Sequence, residues 1–239
     1  MSMTLRAMSA LLQYPSADLK AAIPEVRTAI RAEGMLPESS IAELEPLLSS
    51  LELWDTIESQ ERYVELFDRG RAHCLHLFEH VHGESRDRGQ AMVDLRERYL
   101  DAGLDPTTNE LPDYLPLFLE YCSVLPREQA LEQLAEPGLI IAALAKRLDE
   151  KESPYAAVLN ALCVAADIDR DIDAQSAIVA ADNPHDLEEL DANWEAEEIT
   201  FGAMAPQAPG RSGPPCSTSS NGTVVLPTPR VATARNRSH

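Results

Sequence analysis

A chain of 239 residues is long enough for one domain with a sizeable core and a tail beyond it. It carries 40 acidic against 20 basic residues; past residue 200 there are four Arg and no Asp or Glu, so residues 1–200 hold 16 basic against 40 acidic residues. That balance argues against nucleic acid and anionic membrane surfaces as partners, and for a cationic partner or a charge kept for solubility.

The opening stretch, MSMTLRAMSALLQYPS, has one Arg, no continuous apolar run and an early Pro, so it makes a poor secretory signal. Leu5, Met8, Leu11 and Leu12 recur at helical spacing, and Pro15 closes that helix. Leu19, Ile23, Val26 and Ile30 continue the pattern to Gly34, with Pro24 a candidate break. Ser39 or Ser40 offers a cap for a helix bearing Ile41, Leu44, Leu47, Leu48 and Leu51. A further helix is predicted from about Leu53 to Asp68, ending near Gly70. Helices follow on either side of Gly83, and the second, 84–102, puts Met92, Leu95 and Tyr99 on one face. The apolar segment 111–125 holds two prolines. Pro112 suits a first turn, whereas Pro116 inside a helix forces a kink. Helices 127–135 and 138–151 flank Pro137-Gly138, and 154–166 carries Tyr155, Val158, Leu159, Leu162 and Ala166. No alternating strand stands out and no apolar run approaches the roughly 20 residues of a membrane span. The prediction is an all-α protein with sequential helices as antiparallel neighbours, cytoplasmic and without stable membrane association. Residues 1–166 form its helical domain. Residues 167–201 read as an acidic, weakly structured arm, and 202–239, rich in Pro, Gly and Ser, as a disordered tail.

The chemistry-bearing residues concentrate in 73–95, HCLHLFEHVHGESRDRGQAMVDL. His76 and His80 are four apart, which on a helix puts both imidazoles on one face, with His73 a turn earlier. One reading is a metal or cofactor site on His73, His76 and His80. Against it, the HExxH order is absent and no second ligand cluster appears. The other reading is a packed or recognition helix with Leu75, Phe78 and Val81 inward. Arg86 and Arg88 fall in the first turn of the next helix, where the macrodipole disfavours cations. Glu84 and Asp87 are at hand for a local ion-pair network, or for a charge geometry that holds a ligand or peptide. The four cysteines, Cys74, Cys122, Cys163 and Cys216, form no CxxC pair and suggest no disulfide framework. Nucleophile motifs and phosphate-cradling loops are missing, so neither catalysis nor a resident cofactor is expected.

FDRGRAHCLHLFEHVHGESRDRGQAMVDL (67–95) followed by ELPDYLPLFLEYCSVLP (110–126) resembles the NarJ family, the assembly chaperones of respiratory nitrate reductase also called its delta subunit. LLQYPS (11–16) and WEAEEITFG (194–202) look similar to the same family, so the resemblance spans roughly residues 3–202. It implies a single helical-bundle domain of the TorD-like chaperone type. That wider group carries Glu, Pro, one or two variable residues, Asp, His and Leu at a hinge. The matching stretch here is Glu110, Leu111, Pro112, Asp113, Tyr114, Leu115, with Tyr114 in place of the His. The departure puts in doubt any role that the His has elsewhere, such as nucleotide contact. The resemblance further implies a partner, the N-terminal peptide of the nitrate reductase alpha subunit, and contact with the machinery that inserts the molybdenum cofactor. Chaperoning of a different molybdoenzyme is the alternative.

An acidic helical bundle suits a basic amphipathic peptide laid helix-in-groove. Apolar contacts would supply affinity, and carboxylates at the rim would steer and select. The groove is expected around 73–82 and 111–122, with Tyr63, Phe67, Phe78, Tyr114, Leu115, Phe118 and Tyr121 as its large side chains. Asp68, Glu79, Glu84, Asp87, Glu110, Asp113 and Glu120 are its candidate rim acids, and Asp113 and Glu120 are expected to meet the peptide's cations. Arg86, Asp87 and Arg88 would organise the corner after Gly83.

Overall fold

The computed structural model describes residues 1–69, 71–82, 86–106 and 110–170, and for Arg71, His82, Arg86 and Asp87 the backbone alone. The expected arm and tail therefore lie outside the described residues, apart from 167–170. No helix among the described residues is long and apolar enough to cross a membrane.

Helix α1 (Met3–Leu12) starts on Ser2, whose hydroxyl accepts the Leu5 N–H at 3.3 Å. It buries seven of its ten residues. Ser16 caps α2 (Ala17–Glu33) in the same way, accepting the Leu19 N–H at 3.1 Å, and Gly34 ends it at φ 60°. Only glycine adopts that left-handed backbone freely. Pro24 does not break α2. It sits on the exposed face of the helix, where its ring meets no packed neighbour. Helix α3 (Glu38–Leu53) corrects one expectation: its N-cap is Pro37, without a side-chain cap, and Ser40 is buried inside the helix. The predicted helix 53–68 divides into α4 (Thr56–Tyr63) and a π-helical turn, Val64–Asp68. The wider turn continues the chain with both Tyr63 and Phe67 buried.

The segment 73–82 is not the helix that its apolar spacing suggests. A 3-10 turn covers Arg71–His73, and only Glu79–His82 (α5) is α-helical. Between them 74–78 is not helical, and His76 pairs antiparallel with Tyr114. Leu77 donates its N–H to the Asp113 carbonyl at 2.9 Å, and Leu115 donates to the Leu75 carbonyl at 2.8 Å. Leu75 and Leu77 are both buried while His76 between them is half-exposed, which is a strand's alternation.

Helix α6 (Arg86–Asp101) follows, then α7 (Leu115–Val124), α8 (Arg127–Ala135), α9 (Gly138–Glu150) and α10 (Ala156–Ala165). The expected kink at Pro116 is absent. Helix α7 begins one residue earlier, so Pro116 occupies the first turn, where its missing N–H has no helical partner to lose. Eight of the ten α7 residues are buried. At about 1.5–3 kcal/mol for each large apolar side chain, that makes α7 a main source of stability. Helix α1 packs along it, and α10 packs on α9 and α3. Two hydrogen bonds fix the α1–α7 register: Ser9 Oγ donates to the Pro116 carbonyl at 2.7 Å, and the Ser2 N–H to the Ser123 carbonyl at 2.6 Å.

Candidate functional site

Asp113 sits at the junction of the two long sequence motifs and is fully buried. Its Oδ2 accepts the Phe78 N–H at 3.1 Å, and His76 Nδ1 lies 3.3 Å from its Oδ1. The Arg88 guanidinium reaches in from the first turn of α6, 3.8 Å from Asp113 Oδ2 and 3.8 Å from Glu79 Oε2. A buried carboxylate is tolerated only when several donors converge on it, and here they come from two segments, 76–78 and the first turn of α6. Asp113 is thus an interior tie rather than an open rim acid. Arg88 Nε is itself buried without a hydrogen-bond partner.

Tyr114 packs its ring on His76 at 5.3 Å, and its hydroxyl lies 3.0 Å from that of Tyr63. Tyr63 donates to the Leu12 carbonyl at 2.9 Å, so its one proton is committed and Tyr114 is the donor between them. His80 is buried and donates Nε2–H to the Cys74 carbonyl at 2.8 Å. Burial holds its pKa below the ordinary value, with Arg147 adding to the effect; the Cys74 carbonyl, Glu79 and Asp113 oppose it. His73 is lowered likewise, by burial first and then by Lys151, Arg147 and His80. Burial pushes the Cys74 thiol up to about 11.

These shifts set a pH dependence. Both imidazoles favour the neutral form in the folded chain, so the unfolded chain takes up protons first as pH falls. The associated stability is present above the ordinary histidine value of about 6.5 and is lost as pH falls from there toward the lower folded values. Urea unfolding at pH 7.5 and 5.5 is expected to show a lower midpoint at 5.5, and His80→Gln to narrow that gap. A gap that His80→Gln leaves untouched would remove His80 as its cause.

Two surface clefts flank the Asp113 tie. One, of about 240 Å³, is lined by Tyr63, Phe67, Asp68, His76, Glu110 and Tyr114. The other, of about 320 Å³, is an apolar groove lined by Phe78 and Phe118 together with Leu77, Val81, Leu95 and Ile140; Asp94, Arg98 and Glu136 also line it and are exposed. The structure thus divides the expected groove residues between two places. Leu115 belongs to neither and is fully buried in the core. Tyr121 turns toward α6 and α8, stacking on Tyr99 at 4.8 Å and donating to Gln133 Oε1 at 3.3 Å. Glu120 faces α1, where it accepts from Gln13 Nε2 at 3.1 Å. Glu79 lies 3.4 Å from the Cys74 thiol, which donates to it. Glu84 lies outside the described residues, as do the side chains of Arg86 and Asp87.

His73, His76 and His80 do not share a helical face, because 74–78 is not helical. Among the described residues no three His, Cys, Asp or Glu are grouped to hold a metal ion. Sequence reasoning missed Asp94, Arg98, Glu136 and Ile140. Two signals pointed to α6: the shared face of Leu95 and Tyr99, and the cations Arg86 and Arg88 in its first turn.

Among the described residues the fold is built of helices, and the marked residues line two surface clefts. Residues 15–161 match the family described as nitrate reductase delta subunit. The chain is 45% identical over 195 residues to the nitrate reductase molybdenum cofactor assembly chaperone NarJ of Escherichia coli K12, covering 81% of this chain and 83% of that one. It is 47% identical over 146 residues to the probable nitrate reductase molybdenum cofactor assembly chaperone NarW of the same strain, covering 61% and 63%. With the probable chaperone NarJ of Bacillus subtilis 168 the identity is 33% over 165 residues, covering 68% and 87%. The chain belongs to the nitrate reductase delta subunit family.

Proposed function

We propose that this protein is a cytoplasmic assembly chaperone, without catalytic activity of its own. It binds the N-terminal segment of the nitrate reductase alpha subunit and keeps the immature enzyme open to molybdenum cofactor insertion before membrane docking. The observation that carries this reading is the 45% identity, over most of both chains, to a protein named as a nitrate reductase molybdenum cofactor assembly chaperone.

The geometry supports it. The groove beside Phe78 and Phe118 offers apolar surface to one face of an amphipathic helix, and Asp94 and Glu136 stand where a basic side chain of that helix would emerge. Apolar burial supplies affinity, while the excess of carboxylates raises the encounter rate with a cationic segment. Calorimetric titration of the full chain with the N-terminal peptide of the alpha subunit, at two salt concentrations, tests this. Saturable binding that weakens with salt is expected, because exposed charges are screened beyond about 10 Å at 0.1 M. A folded protein that binds no peptide would overturn the reading.

A further inference from the structure

Helix α6 forms one wall of the apolar groove, contributing Ala91, Asp94, Leu95 and Arg98. It is lightly embedded: of its described side chains only Leu95 and Tyr99 are buried. Across the groove a polar clasp holds it. Arg98 Nη1 donates to Glu136 Oε2 at 2.9 Å and lies 3.3 Å from Gln133 Oε1. Gln133 in turn donates to Glu136 Oε1 at 2.8 Å, so both oxygens of Glu136 are engaged. The Arg98 and Glu136 side chains are each about half exposed. With the clasp closed across this groove of about 320 Å³, Leu77 and Phe118 at its floor are 2% and 3% exposed, so little of that floor is open to a client helix.

We propose that Glu136 is the residue that recognises a basic side chain of the client helix, and that Arg98 holds its place until the client arrives. This rests on the peptide binding proposed above. An incoming Arg or Lys takes Glu136 over, the clasp across the groove opens, and α6 swings out as the movable wall. An exposed ion pair is weak, so one guanidinium or ammonium can replace another there with little penalty. Asp94, one turn from Arg98 on the same helix, adds a second carboxylate for the same cation. The apolar floor, Leu77 and Phe118, is shut off from water while α6 is closed and becomes the seat of the client's apolar face.

The test titrates the full chain, as wild type, Arg98→Ala and Glu136→Gln, with the N-terminal peptide of the alpha subunit. Arg98→Ala removes the resident competitor and is expected to tighten binding by about two- to fivefold, the range that an exposed ion pair is worth. Glu136→Gln is expected to weaken binding by a similar factor and to flatten its salt dependence. Opposite signs are the signature, since a pair that merely stabilised the groove would weaken binding in both variants. Weakening in both, or affinity unchanged in both while the wild type binds, overturns the exchange and leaves the chaperone reading standing. A wild type that binds no peptide overturns both.

Discussion

Asp113→Ala is expected to cost about 3 kcal/mol of stability, the lower end of what removing one partner from a buried ion pair costs. For a domain of this size that lowers the melting temperature by about 6–12 °C. The loss has three parts. The Phe78 N–H and the His76 ring lose their acceptor, and Arg88, already with a buried unpartnered Nε, loses one of the two carboxylates it reaches. Asp113→Asn keeps an acceptor for Phe78 while removing the charge, so a smaller loss is expected. Because Phe78 lines the apolar groove, peptide affinity falls along with stability. Melting temperatures of the two variants within about 2 °C of wild type would show that the tie is dispensable.

Tyr99→Ala is the other large effect. Tyr99 is fully buried, stacks on Tyr121 at 4.8 Å and donates its hydroxyl to the Pro112 carbonyl at 2.6 Å. Truncating a buried aromatic side chain costs about 3–5 kcal/mol. Here the loss is local in character, since Tyr99 and Leu95 are the two buried side chains described for α6. Faster hydrogen exchange throughout α6 is therefore expected, with α1 and α7 keeping most of their protection. Tyr99→Phe removes only the hydroxyl and is expected to cost about 1–3 kcal/mol, through the Pro112 carbonyl left without its donor. Uniform loss of protection in Tyr99→Ala would mean that α6 and the core open as one unit.

The helices were readable wherever local signals agree. Pro126 and the pair Pro137-Gly138 mark the edges of α8 and α9, and the predicted 127–135 is the observed Arg127–Ala135. Residues 73–82 defeated the same reading. Leu75, Phe78 and Val81 fit a helical period, but the decisive hydrogen bonds come from Asp113 and Leu115, which no local window contains. The error propagated to the site. Three histidines expected on one face are spread over a turn, a non-helical stretch and a short helix. Asp113 stood out in the sequence as an acid, yet its burial depends on donors at 76, 78 and 88 that only the fold assembles. The groove was half readable: Phe78 and Phe118 sit in the marked motifs, whereas Arg98 and Glu136 are ordinary surface charges until the fold puts them 2.9 Å apart.

The docking of α1 on α7 has a consequence for how the chain is made. Ser9 and its acceptor Pro116 are 107 residues apart. At synthesis rates of about 5–20 residues per second, α1 waits roughly 5–20 s before the surface that buries it leaves the ribosome. During that interval α2 is already available to α1, but the side of α1 that packs along α7 has no permanent cover. Until then the chain's own first helix is its unfinished segment. Long-range closure of this kind also slows folding relative to a bundle built from neighbouring pairs. Refolding from urea should accordingly recover the local α9–α10 pair before α1 is protected.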